Sequence, residues 1–129
     1  MTLEKQVCNL DLAKRLKELG VKQEGHFSWY EVEHYQGEQE SAFDAFVKLV
    51  EPTLDKLAGM HDICSAFTVA ELGEMLKEHV NGIEYGFSHG STDWHVYIEK
   101  IDDEIFANTE ADARAKMLIH LLENKLIAL

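Results

Sequence analysis

Seven histidines, His26, His34, His61, His79, His89, His95 and His120, are the residues of this chain best suited to metal or acid–base chemistry. A metal centre needs two or more neutral imidazoles within coordination reach, usually at short spacing. No HxH, HxxxH or HExxH occurs. The nearest approaches are His61 with Cys64, and His89 with His95 across a loop that also holds Asp93. A cluster of His89, Asp93 and His95 is therefore the arrangement on which a small metal-dependent enzyme or ligand-binding domain could be built. The plainer reading of the same pattern is a set of scattered surface histidines.

Cysteine and glycine chemistry has less to work with. Cys8 and Cys64 lack an activating base at a recognised spacing and form no CxxC pair. They read as free, buried thiols in a reducing compartment. The N-terminal MTLEKQV lacks the apolar run of roughly 7–15 residues that a secretion signal needs, so a cytoplasmic location is expected. No stretch approaches the roughly 18 apolar residues of a membrane span. Gly82, Gly86 and Gly90 recur at every fourth residue, but they fall in a predicted hairpin and not in the strand-to-helix turn that cradles phosphate. No catalytic residue and no cofactor follows from these features.

Carboxylates are the abundant functional group. The 129 residues include 24 acidic and 12 basic ones, a formal charge of −12. Residues 21–40 carry −4 and residues 81–109 carry −5, whereas residues 1–20 carry +1 and residues 110–129 are neutral. So negative a chain repels a phosphate backbone, which argues against direct nucleic-acid binding. Lys14, Arg15, Lys17 and Lys22 do make the first helix locally basic. It is followed by Gly25 and an aromatic segment, however, and not by a recognition helix. The charge suits the opposite role, in which clustered carboxylates steer the chain toward a protein with a basic surface. The residues placed to make that contact are Glu31, Glu33, Trp94, Tyr97, Glu99, Asp102, Asp103 and Glu104, with aromatic anchors among the acids. The densest group, Glu99 with Asp102, Asp103 and Glu104, could also hold a divalent cation; a solvated loop explains it equally.

The elements that must position these residues follow from periodicity. At this length one domain, residues 1–129, is expected. Asn9 caps a helix carrying Leu12, Leu16 and Leu19, and Gly20 ends it. Residues 27–35, FSWYEVEHY, read as a strand. Ser41 opens a second helical pattern, with Asp44 in its first turn and Phe43, Phe46, Val47, Val50, Leu54 and Leu57 at helical spacing. Pro52 should kink it, or divide it into two short helices with Pro52 starting the second. Ile63–Phe67 reads as a short strand, and Thr68 with Glu71 as a capping box for a helix over Val69, Leu72, Met75 and Leu76. Ile83, Tyr85 and Phe87 alternate with polar residues, as do Trp94, Val96 and Ile98, so residues 83–99 read as a hairpin. Thr109 caps a last helix, with Asn124 as its stop. The sum is an α+β fold: a small, mostly antiparallel sheet (the strand at 27–35 and the hairpin at 83–99) packed against three to four helices.

Three blocks carry a resemblance. CNLDLAKRLKELGVKQ (8–23), SAFTVAELGEML (65–76) and NTEADARAKMLIHLLENKLI (108–127) together resemble a family of small bacteriophage and prophage proteins, found notably in Bacteroidetes. The resemblance implies a phage-derived accessory protein working in the cytoplasm of a bacterial host cell. It brings no reaction, ligand or catalytic residue with it. Between Gln36 and Asp62 this chain reads as longer and more helical than the short, strand-rich connection of such proteins.

Overall fold

Three side-chain caps start the helices of the computed structural model, which describes residues 2–35, 41–49, 60–88, 90 and 93–129. After a short helix α1 (Leu3–Gln6), the Asn9 side chain accepts the Leu12 N–H at 2.9 Å and opens α2 (Leu10–Glu18). Gly20, at φ +94°, takes the left-handed conformation that closes it. The Thr68 hydroxyl accepts the Glu71 N–H at 3.2 Å and the Glu71 carboxylate accepts the Thr68 N–H at 3.0 Å, a complete capping box at the head of α3 (Val69–His79). Thr109 accepts the Asp112 N–H at the head of α4 (Glu110–Glu123), and Asn124 caps its end. Asp112 also accepts from the Asn9 N–H at 2.8 Å, which ties the first turns of α2 and α4 together.

The fold is α+β, with its strands divided between two antiparallel sheets of three. In the first, β1 (Phe27–Tyr35) is central, between β2 (Ser41–Leu49) and β3 (Met60–Ser65). The residues from Ser41 to Leu49 thus form a strand and not the start of a helix. The reason lies on the two faces of β1. Val47 pairs with Trp29 and is buried, while the next residue along, Phe46, pairs with Tyr30 on the opposite face and stacks on it at 5.8 Å. Phe46 thus puts an aromatic ring on the side of the strand that also carries Lys48, which interrupts the apolar–polar alternation, and the remaining spacing mimics a helix. The rest of that helical expectation, from Val50 through Pro52, Leu54 and Leu57, lies outside the described residues. The described part of the Gln36–Asp62 connection is accordingly strand and not helix. β3 sits a few residues earlier than expected, with Ala66 extending the contact by donating to the Phe27 carbonyl at 2.9 Å.

The second sheet is the predicted hairpin plus one strand: β4 (Ile83–Ser88), β5 (Asp93–Ile98) and β6 (Asp103–Ala107), in that order. A single 3₁₀ turn, Glu99–Ile101, and Asp102 at φ +52° lead from β5 into β6. Register puts Ile83, Ile98 and Asp103 in one row and Tyr85, Val96 and Ile105 in the next, so the inner face is the apolar one.

Helix α4 is the centre of the molecule. It contacts α1, α2 and α3 as well as β5 and β6. Ala111, Ala113, Ala115, Met117, Leu118, Ile119 and Leu121 are all buried, which is more of its circumference than a one-sided stripe would cover. α2 bridges from α4 to β3, and the Trp29 indole N–H donates to the Cys8 carbonyl at 3.0 Å. Cys8 and Cys64 are free, buried thiols. Among the described residues, no helix is long and apolar enough to cross a membrane.

Candidate functional site

Register decides which of the candidate contact residues share a surface. On the side of the second sheet turned away from α4, Glu84, Tyr97 and Glu104 form one cross-strand row, and Gly86, His95 and Phe106 form the next. Glu84 and Glu104 are exposed, as is Phe106 at 45%. The exposed Glu99 and Asp102 flank the first row through the turn. The Tyr97 hydroxyl donates to Asp102 Oδ1 at 3.1 Å. That bond, together with the nearby charges of Asp102, Glu99 and Glu84, pushes the Tyr97 phenol above its ordinary pKa. Three carboxylates therefore act on one aromatic side chain, and Glu104 stands opposite it on the neighbouring strand. Glu84 is the member that sequence reading missed; pairing the two hairpin strands residue by residue places it opposite Tyr97.

The remaining candidates lie elsewhere. Trp94 is on the inner face, partly buried, with its ring 5.1 Å from that of Phe87. Asp103 also faces inward, where its Oδ2 lies 2.9 Å from His120 Nε2 of α4. Glu31 and Glu33 belong to β1 in the other sheet; Glu31 stands between Ala45 and His61, and Glu33 opposite Phe43. Glu31 and Glu33 are thus on a different sheet from Glu84 and Glu104.

Of the histidine cluster, Asp93 and His95 share the outer face, and His89 lies outside the described residues. The His95 ring meets Phe106 edge-on at 5.8 Å and lies across Gly86, where a Cβ would collide with it. No three His, Cys, Asp or Glu side chains stand together as a metal-ligand set among the described residues. Gly86-Phe87-Ser88-His89-Gly90 has the G-x-S-x-G spacing of a nucleophile elbow, which requires a sharp strand-to-helix turn. Ser88 instead ends β4 opposite Asp93 in a hairpin. Basic side chains of α2 are engaged internally: Arg15 pairs with Glu18 and Glu123, and Lys17 donates to the Ile63 carbonyl at 2.8 Å.

A cleft of about 440 Å³ opens between α3 and β4. At its floor the Arg114 guanidinium, 14% exposed, stacks 3.9 Å from the centre of the Tyr85 ring. Its Nη2 donates to Glu110 at 2.9 Å and its Nη1 to the Val69 carbonyl at 3.1 Å. Burial pushes the Tyr85 phenol above its ordinary value, partly offset by Arg114. Gly73, a glycine in mid-helix, faces this guanidinium, and a Cβ there would overlap Nη1. Glycine in a helix interior costs about 1 kcal/mol relative to alanine, so the exchange normally stabilises. Here Gly73→Ala is expected to gain nothing, because it dislodges a guanidinium held by two hydrogen bonds and a ring. In an Arg114→Met background the same exchange should recover about 1 kcal/mol. Urea denaturation of the four proteins in that cycle checks this, and equal effects in both backgrounds would refute it.

Comparisons with protein-family models, with curated proteins and with solved structures found no match to this chain.

Proposed function

We propose that this is a phage-derived accessory protein that acts without catalysis, by binding a partner protein with a basic surface in the cytoplasm of a bacterial host cell. The observation that carries the reading is the gathering of Glu84, Glu99, Asp102 and Glu104 around Tyr97 on one face, beside the exposed Phe106. Carboxylates around an aromatic group supply long-range steering and a desolvated anchor on one patch. The charge of −12 and the internal pairing of Arg15 and Lys17 support a basic protein over a nucleic acid. The three-block resemblance supports the phage origin.

A triple variant, Glu84→Lys, Glu99→Lys and Glu104→Lys, tests the reading, since all three side chains are exposed and the fold should survive. Affinity capture from bacterial extract is run at low and at high salt. The native protein is expected to retain partners at low salt that high salt releases, and the variant to lose them. Retention that ignores salt, or that survives the triple reversal, would count decisively against the proposal.

A further inference from the structure

We infer that the groove between α3 and β4 receives an extended basic segment of the partner, which adds as a further strand to the edge of the second sheet. The inference rests on the partner-binding reading above and specifies the partner's conformation and side-chain pattern.

Three observations converge on this groove. First, β4 is the terminal strand of its sheet, and its side away from β5 carries no strand among the described residues. A strand edge of that kind presents unpaired N–H and C=O groups that template another strand. Second, α4 lies over β5 and β6 and leaves the inner side of β4 partly open, with Tyr85 38% exposed. The opposite wall is the Ala70, Gly73, Glu74 and Lys77 face of α3, residues at i, i+3, i+4 and i+7. Ala70 and Gly73 make that wall shallow, so space remains for side chains of an occupant. Third, the two faces of β4 differ in chemistry. Inward lies the Tyr85 ring, backed by an Arg114 whose charge Glu110 already offsets; outward lies Glu84, beside Tyr97 and Glu104.

An added strand alternates its side chains between those faces. Its inward residues would enter the cleft against Tyr85 and Ile83, and its outward residues would stand beside Glu84. The matching segment therefore alternates apolar with basic residues. On the α3 wall the charges of Glu74 and Lys77 offset each other, so the outer acidic row sets the sign of the partner.

The test uses the full chain and a blocked seven-residue peptide alternating lysine with leucine, titrated by calorimetry and followed by amide chemical shifts. Two N-methylated versions of the peptide remove the backbone donors along one edge or the other. Strand addition requires one methylated version to lose binding and the other to bind as the parent does. It also requires shifts centred on Ile83–Gly86, and about tenfold weaker binding to Ala70→Phe, which fills the groove from an exposed helix position. Circular dichroism confirms that this variant is folded. If both methylated peptides bind equally and the Glu84, Glu99 and Glu104 reversal still abolishes binding, the acidic-face reading stands and strand addition is overturned. If the parent peptide fails to bind at millimolar concentration and low salt, strand addition is overturned as well, and the acidic face is judged on the capture experiment alone.

Discussion

Replacing Leu118 with alanine is expected to destabilise the protein by about 2–5 kcal/mol. Leu118 is fully buried in α4, the helix that touches both the other helices and the second sheet. Removing its isobutyl group takes apolar atoms out of a close-packed interior, and the surrounding elements cannot all collapse into the gap, because each is held elsewhere. Asp112 ties α4 to the start of α2, and Asp103 to His120 ties it to β6. A domain of this size is commonly stable by about 5–15 kcal/mol, so the single change removes a large share. Leu126, beyond the end of the same helix and 49% exposed, is the control; its alanine variant should stay within about 0.5 kcal/mol of the parent. Urea denaturation measures both. A loss under about 1 kcal/mol for Leu118→Ala would show that α4 is not the centre of the core.

The second large effect is a loss of stability at alkaline pH through the buried thiols. Cys8 is fully buried, and desolvation, only partly offset by a backbone hydrogen bond from Phe67, pushes its thiol up to about 12. Burial likewise pushes Cys64 up to about 11, against the opposing pull of Lys17. Unfolded, both ionise near the ordinary value of 9.0. Above that pH the unfolded chain gives up protons that the native chain keeps, so stability falls as pH rises. The contribution is complete below about pH 9 and declines by about 1.4 kcal/mol per pH unit for each thiol, until the folded thiol itself ionises. Tyrosines and lysines titrate in the same range, so the informative quantity is the difference between the native chain and Cys8→Ala/Cys64→Ala. Guanidinium denaturation from pH 8 to 11 should show a steeper decline for the native chain, and parallel curves would refute the prediction. Burial also makes alkylation of Cys8 at pH 8 slower in the folded protein than for a free thiol.

Part of the fold was legible residue by residue. Asn9, Thr68 and Thr109 each read as a cap and each accepts the expected N–H. Capping is local: donor and acceptor lie three residues apart, so sequence order alone brings them together. The hairpin at 83–99 was readable for the same reason, its period-2 alternation reporting one buried face. β2 was not readable as a strand, because Phe46 stacks on Tyr30 from the face opposite the buried Val47 and interrupts the alternation. Gly73 lies inside the helix that Thr68 caps, and the group that occupies its Cβ space, the Arg114 guanidinium from α4, comes from 41 positions away in the chain.

The candidate surface divides along the same line. Composition determined that the protein is acidic, and residue order determined that its acid is concentrated in 21–40 and 81–109, because charge and order are properties of the chain itself. Pairing across strands decided the rest. It set Glu84 beside Tyr97 and Glu104, turned Trp94 and Asp103 inward, and placed Glu31 and Glu33 on a different sheet. A side chain's face depends on the register of its strand against a neighbour. That register is settled by which apolar rows α4 buries, a choice made only when the whole core assembles.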